Sequence, residues 1–383
     1  MDEEAYVLLL STSKINLERR YILKSSKKIV ICMLLIVVSI ISLILIDKNT
    51  NKTFKYKGNT IALTVDGNSA TSFPASGKYN VTVNCNNAKG RWNPKTWKLE
   101  ITKIIGTVTC DVSFNSSVTN LTTQVNNTAT RNENGKRYQG KNPDNYIWFN
   151  DELWRIIGNI PVCLTSGCAK TENRVKIIRN DSIGTIAYGD NSTWMGSNIQ
   201  NLLNSCYLGK TSSCDKFCCI LSQAYSGTCD YSSDGIDTSD FYGKMVEDVY
   251  FNVGAGDDTY KTAANYYTQE IATHATSTSK IGLMYASDWG YAIEGFTGVL
   301  GGSGSPQNSS DKNWLYSNGE ELTMSAYSYG NFSSSLRTTI DGYLNGNLSP
   351  SYGASTRPVL YLKSNVYVVS GTGTKVDPYR IGM

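Results

Sequence analysis

Residues Ile29 to Ile46 read IVICMLLIVVSIISLILI, eighteen consecutive residues without a charge. As a helix this run would reach roughly 27 Å, close to the hydrocarbon thickness of a bilayer. A helix buried in a protein core normally keeps a polar face, and this stretch has none. No Ala-x-Ala site follows Ile46, only Asp-Lys-Asn-Thr, and Cys32 opens the run rather than closing it. Neither a cleaved signal peptide nor a lipoprotein anchor is therefore expected. The expectation is an uncleaved transmembrane signal anchor at residues 29–46. Lys14, Arg19, Arg20, Lys24, Lys27 and Lys28 precede it, against Lys48, Lys52, Lys55 and Lys57 after it. That asymmetry puts the leader, residues 1–28, in the cytoplasm and the C-terminal region outside the cell.

Cysteine usage agrees with that topology. Nine of the ten cysteines follow the apolar run, and no two stand in C-x-x-C spacing, so they read as disulfides in an oxidising compartment. Only 18% of the 383 residues are charged and the net charge is +4, which excludes a nucleic-acid-binding or disordered chain. One histidine, His274, excludes multi-histidine metal sites and routes any histidine chemistry through a single residue. It has no neighbouring nucleophile in sequence and reads as an exposed loop residue.

Residues 47–114 read as a small β module. Apolar residues alternate in four runs: Ile61, Leu63, Val65; Tyr79, Val81, Val83, Cys85; Trp97, Leu99, Ile101; and Val108, Cys110, Val112, Phe114. Period two means strands with one buried face, and the turn-forming stretches between them predict a small antiparallel sandwich. Cys85 and Cys110 fall on inward positions, and a bridge between them would contribute about 3.5 kcal/mol by loop entropy. Residues 115–144 are rich in Asn, Thr and Ser and poor in large apolar residues, which predicts a linker.

The block 145–383 reads as α+β. NYIWFNDELWRIIG (145–158) is two strands around Asn150-Asp151, a hairpin signature, and RVKIIRN (174–180) is a third strand. Ser197 and Gln200 suggest a capping box for a helix with Ile199, Leu202, Leu203 and Cys206 on one face. Further helices are expected at Tyr242 to Tyr250 and Tyr260 to Ile271, then glycine- and serine-rich loops up to a final strand or hairpin at Arg357 to Val369. Cys163 and Cys168, across a short turn, are expected to bridge. The five cysteines Cys206, Cys214, Cys218, Cys219 and Cys229 lack the paired spacing of zinc sites and read as disulfides of open connectivity.

Six stretches carry a resemblance: NYIWFNDELWRIIG, RVKIIRNDSIG (174–184), KIGLMYASDWGYA (280–292), NWLYSNGEELTMS (313–325), RPVLYLKSNV (357–366) and GTGTKVDPYRI (371–381). In these the block resembles a family of anchored surface proteins of low-GC gut bacteria. That family is similar to the C-type-lectin-like fold, and through it to the formylglycine-generating enzyme and to the variable receptor proteins of diversity-generating retroelements. The resemblance implies paired terminal strands and a binding face built from loops, and it carries no ligand. The Glu-Pro-Asn, Gln-Pro-Asp and Trp-Asn-Asp triplets of calcium-dependent lectins are missing, and no cysteine pair stands near the C-terminus where the related oxidase has its own. Neither activity is transferred.

The candidate contact surface is Ser325 to Gly353, where eighteen of 29 residues are Ser, Tyr, Gly or Asn, the alphabet of antibody contact loops. The expected ligand-binding residues are Tyr327, Tyr329, Asn331, Tyr343, Asn345 and Tyr352, and in the resembled fold the matching segment forms the ligand face. No catalytic residue, metal ligand or cofactor is expected. Asp234, Asp237, Asp240, Asp257 and Asp258 fail the EF-hand pattern and read as solvated carboxylates. Asp288, Glu320 and Glu321 are the acids a glycosidase reading would use, with no fixed separation in sequence. The expected function is extracellular recognition or adhesion toward a glycan or protein ligand. The alternatives are a cell-envelope hydrolase and a non-catalytic envelope component.

Overall fold

Alternation between Ile61 and Phe114 becomes strands where it was expected, though their order is not that of a simple meander. The computed structural model of the chain describes residues 54–56, 59–189, 193–214, 220–222, 225–226, 229–301, 312–329, 332–346 and 349–383. The expected anchor at 29–46, Cys218, Cys219 and Asn331 lie outside the described residues. Among the described residues no helix is long and apolar enough to cross a membrane. The architecture is mostly β-sheet with few helices, an α+β arrangement.

In the N-terminal module, the strands Phe54–Tyr56, Asn59–Val65, Thr109–Asn115 and Asn80–Asn86 form one sheet in that order. Asn59–Val65 runs parallel to Thr109–Asn115, which corrects the antiparallel expectation. A parallel pair needs a long crossover, which the residues between these two strands supply. A hairpin, Lys89–Asn93 with Lys98–Thr102, lies apart from that sheet. Its Trp92 is fully buried and meets Phe114 edge-on at 4.8 Å. Cys85 and Cys110 are directly opposed across two strands and form a disulfide.

The stretch read as a linker is part of the larger domain, and this is a second correction. Asn120 caps a helix, Leu121–Thr128, by accepting from Thr122 N at 2.8 Å, and Leu121 and Val125 enter the main core four residues apart. Further along, Lys136–Arg137 pairs with Glu152–Cys163, and Arg137 is 1% exposed. A helix this short gains its stability from packing rather than propensity, so its polar composition gave a loop reading. The two parts also share a core: Tyr367 and Val369 from the C-terminal strands pack with Val81, Trp92 and Phe114.

The main sheet of the larger domain orders the strands Ile281–Gly282, Val359–Leu362, Thr171–Arg179, Glu152–Cys163, Lys136–Arg137 and Arg131–Asn132, with Tyr146–Phe149 paired to Glu152–Cys163. Asn150 and Asp151 both take positive φ, 52° and 62°, as a two-residue hairpin turn of this hand requires. The expected closing hairpin at 357–369 is split. Val359–Leu362 joins this sheet beside Thr171–Arg179, whereas Tyr367–Ser370 pairs with Arg380–Gly382 and Thr119–Asn120 in another. Tyr146 and Tyr379 exchange backbone hydrogen bonds with each other's neighbourhood, so the beginning and end of the block run together.

The helix expected at Tyr242 to Tyr250 is only a turn, Gly243–Met245. Val246 and Val249 are drawn instead into bridges with Leu362 and Ser279, and strand pairing takes the backbone groups a helix would have used. The helices at Asn198–Asn201, continued as a wider turn to Cys206, and at Ala263–Glu270 stand where expected. Ser197 Oγ accepts from Gln200 N at 3.2 Å, and Gln200 Oε1 accepts from Gly196 N at 2.6 Å.

Candidate functional site

The segment expected as contact loops is mostly a long hairpin, Glu321–Tyr329 with Phe332–Thr338. Threonine and serine make a strand here because their hydroxyls find partners. Thr323 Oγ1 donates to Leu336 O at 2.6 Å, and Ser325 Oγ donates to the buried Glu270 carboxylate. A buried polar group that is hydrogen-bonded no longer opposes burial, and propensity gives way to context.

One side of this hairpin forms a wall of a cleft of about 600 Å³. Met324, Ala326, Tyr327 and Ser328 face Trp194 and Met195 on one side, and Thr273 and the segment Val253 to Gly256 on another. Gly256 lies so close to the hairpin that a Cβ there would sit 2.5 Å from the Ala326 carbonyl carbon. The Tyr327 ring lies against Gly346, where a Cβ would come within 2.1 Å of it, and it stacks on Tyr260 at 5.7 Å. Trp194 is 3% exposed, and its indole N–H meets no acceptor among the described residues. The cleft thus offers two aromatic side chains, two thioethers, two threonines and a serine, with Tyr327 the single titratable group in its wall.

Of the expected contact residues whose side chains are described, only Tyr327 lines this cleft. At 4% exposure it is also a packed residue, which corrects its reading as a free surface anchor. Tyr329 pairs with Phe332 beside the hairpin turn, and Asn345 pairs with Arg337 at its far edge. Tyr343 is half-buried, and Tyr352 is 47% exposed. Tyr327, Tyr329 and Asn345 stand on strands while Tyr343 and Tyr352 stand in the connections between them, so these residues are not a single loop. Trp194, Met195, Thr273 and the Val253 to Gly256 segment were not singled out in sequence. The signal for the last was Gly254-Ala255-Gly256, two glycines outside any turn motif.

Each acid weighed for hydrolysis is committed elsewhere. Asp288 is buried and accepts from Arg137 Nη1 at 2.7 Å, Lys176 Nζ at 2.5 Å and Tyr285 N at 2.9 Å. Burial raises its pKa, but the two cations outweigh that and hold the carboxyl below the usual range. Glu321 is paired with Arg357 through two bonds of 2.7 and 2.8 Å, and Glu320 stands 3.7 Å from Arg337. Glu270 is buried with only hydroxyl and amide donors, from Ser287 and Ser325, and burial pushes its pKa up. None of these carboxylates lines the cleft.

The loop aspartates hold turns. Asp230, Asp237 and Asp257 each accept from the backbone N–H and hydroxyl of the residue two positions on. The one group of metal-type ligands among the described residues is Cys163, Cys168 and His274, whose ligand atoms lie within 4.8 Å of one another. His274 is brought there by its bridge to Asn252, a neighbourhood sequence gave no sign of. Cys163 and Cys168 are placed as a disulfide, and a cystine is not a thiolate ligand. Cys206 and Cys214 form a further pair at disulfide distance, and Cys229 is buried beside Cys214.

Comparison of the chain with protein families, with curated proteins and with solved structures finds no match.

Proposed function

We propose that the chain is a membrane-anchored extracellular recognition protein. In this reading residues 29–46 are the anchor, the β module docks against the head, and a C-type-lectin-like head takes a glycan or protein ligand. The observation that carries the proposal is the composition of the 600 Å³ cleft: aromatic and small polar side chains with no carboxylate, imidazole or thiol in its wall. Binding pockets are typically apolar with a few convergent polar groups, whereas hydrolysis of a glycan needs a pair of carboxyl groups facing the bond. Asp288, Glu321 and Glu270 are buried in ion pairs or a hydroxyl network, which favours recognition over the envelope-hydrolase alternative. Disulfides in both parts favour an oxidising exterior.

The test is a glycan and peptide array probed with the protein and with Ala255→Trp. Ala255 is exposed at the cleft rim, so the indole would occupy the cleft without disturbing the core. The expected outcome is at least one ligand class retained by the wild type and lost by the variant. An array on which the two proteins capture the same ligands equally would remove the cleft from the proposal.

A further inference from the structure

A second, smaller pocket of about 320 Å³ shares no residue with the first. It is lined by Arg155, Trp314 and Arg357, with Asn180, Asp181 and Ser182 on the loop after the strand Thr171–Arg179. Arg155 is 6% exposed. Its guanidinium lies over two rings, Tyr146 at 4.1 Å and Trp314 at 4.5 Å. Nε donates to Asn145 Oδ1 at 2.8 Å, while Nη2 has only contacts of 3.4 Å, to Asn142 Oδ1 and Pro143 O.

Arg155 forms no ion pair among the described residues. Five other buried arginines do: Arg137 with Asp288, Arg174 with Glu247, Arg179 with Glu152, Arg337 with Glu320 and Arg357 with Glu321. Arg380, the remaining buried one, lies over Trp148 and feels both Glu100 and Asp377. Burial is the main cause that pulls its pKa down to about 10; Tyr146 works against that shift and Arg357 adds to it. A buried guanidinium without a counter-charge is costly, and Arg155 stands at the wall of an open polar pocket.

We propose that this pocket binds the carboxylate of an acidic sugar, with Arg155 as the anion partner. The guanidinium fork matches a planar carboxylate in two hydrogen bonds, and the two rings fix its plane in advance. Trp314 and Tyr316 offer ring faces to a sugar, while Asn180 and Ser317 offer amide and hydroxyl partners. Asp181 can accept from a sugar hydroxyl, and its negative charge disfavours a dianionic phosphate over a monoanion. At about 320 Å³ the pocket stands at the small end of ligand sites, a size for one ring rather than a chain. This site stands independently of the larger cleft.

The experiment is calorimetric titration of the purified full chain in detergent with glucuronate, N-acetylneuraminate, glucose, acetate and sulfate. One or both acidic sugars should bind at least tenfold more tightly than glucose, acetate or sulfate. Arg155→Lys keeps the charge and loses the fork, and should weaken that binding tenfold or more. Because a change at Arg155 disturbs a packed stack, Ser317→Trp supplies a second arm: Ser317 is exposed at the rim, and the indole should abolish binding with Arg155 intact. Equal affinity for glucose and glucuronate, acetate or sulfate binding as tightly as the sugars, or undiminished binding by Ser317→Trp would each overturn the proposal.

Discussion

Asp288→Asn tests the reading that the buried charges of the head are structural. The wild-type carboxylate takes one bond each from Arg137 and Lys176 and a third from its own N-cap backbone, all with the acid 1% exposed. Asparagine keeps the shape but has one carbonyl for three donors, and it leaves two buried cations facing each other without a counter-charge. Losing a charge-assisted bond costs about 1.5–3 kcal/mol, and stripping a buried pair of its partner costs about 3–5 kcal/mol in total. Lys176→Met is the internal control. It removes a fully buried ammonium but leaves Asp288 paired to Arg137, so its cost should stay below about 3 kcal/mol and below that of Asp288→Asn. Urea unfolding at neutral pH, followed through tryptophan emission, measures both, and Trp289 beside the cluster is fully buried. An Asp288→Asn cost under about 1 kcal/mol, or a larger cost for Lys176→Met, would refute the ion-pair argument.

Glu270 gives a pH signature of the opposite sign to Asp288. Its folded pKa is raised above the ordinary 4.5, so its contribution is fully present below that value and is lost as pH rises toward the folded pKa. Asp288, with a lowered pKa, loses its contribution only as pH falls through that lowered value, so the two windows do not overlap. Above pH 4.5 the wild type should therefore lose up to about 1.4 kcal/mol per pH unit relative to Glu270→Gln, and parallel stability curves for the two would reject the assignment. In the N-terminal module, Trp92→Ala should cost about 3–5 kcal/mol, and the same preparation should yield a Cys85–Cys110 peptide under non-reducing digestion. A change below about 1 kcal/mol would mean the hairpin does not close that core.

What the sequence determined by itself was local. Period-two runs located Asn59–Val65, Asn80–Asn86 and Thr109–Asn115 and put Cys85 opposite Cys110, because alternation reports which face of a strand is buried. Asn150-Asp151 announced its hairpin, since few residues accept positive φ twice in succession. Chain order did not follow from this. The parallel pairing of Asn59–Val65 with Thr109–Asn115 joins strands whose partners lie some fifty residues apart, and no local pattern encodes that choice. The polar stretch 115–144 and the serine-rich hairpin from Glu321 misled for one reason: hydroxyls and amides read as loop chemistry until a buried partner such as Glu270 or Leu336 O satisfies them. Both pockets lie at the same remove. Arg155, Trp314 and Arg357 come from three strands and loops, and Trp194, Gly256 and Tyr327 from three more. Only tertiary structure decides that an arginine lacks a carboxylate, because that depends on every residue that packs near it.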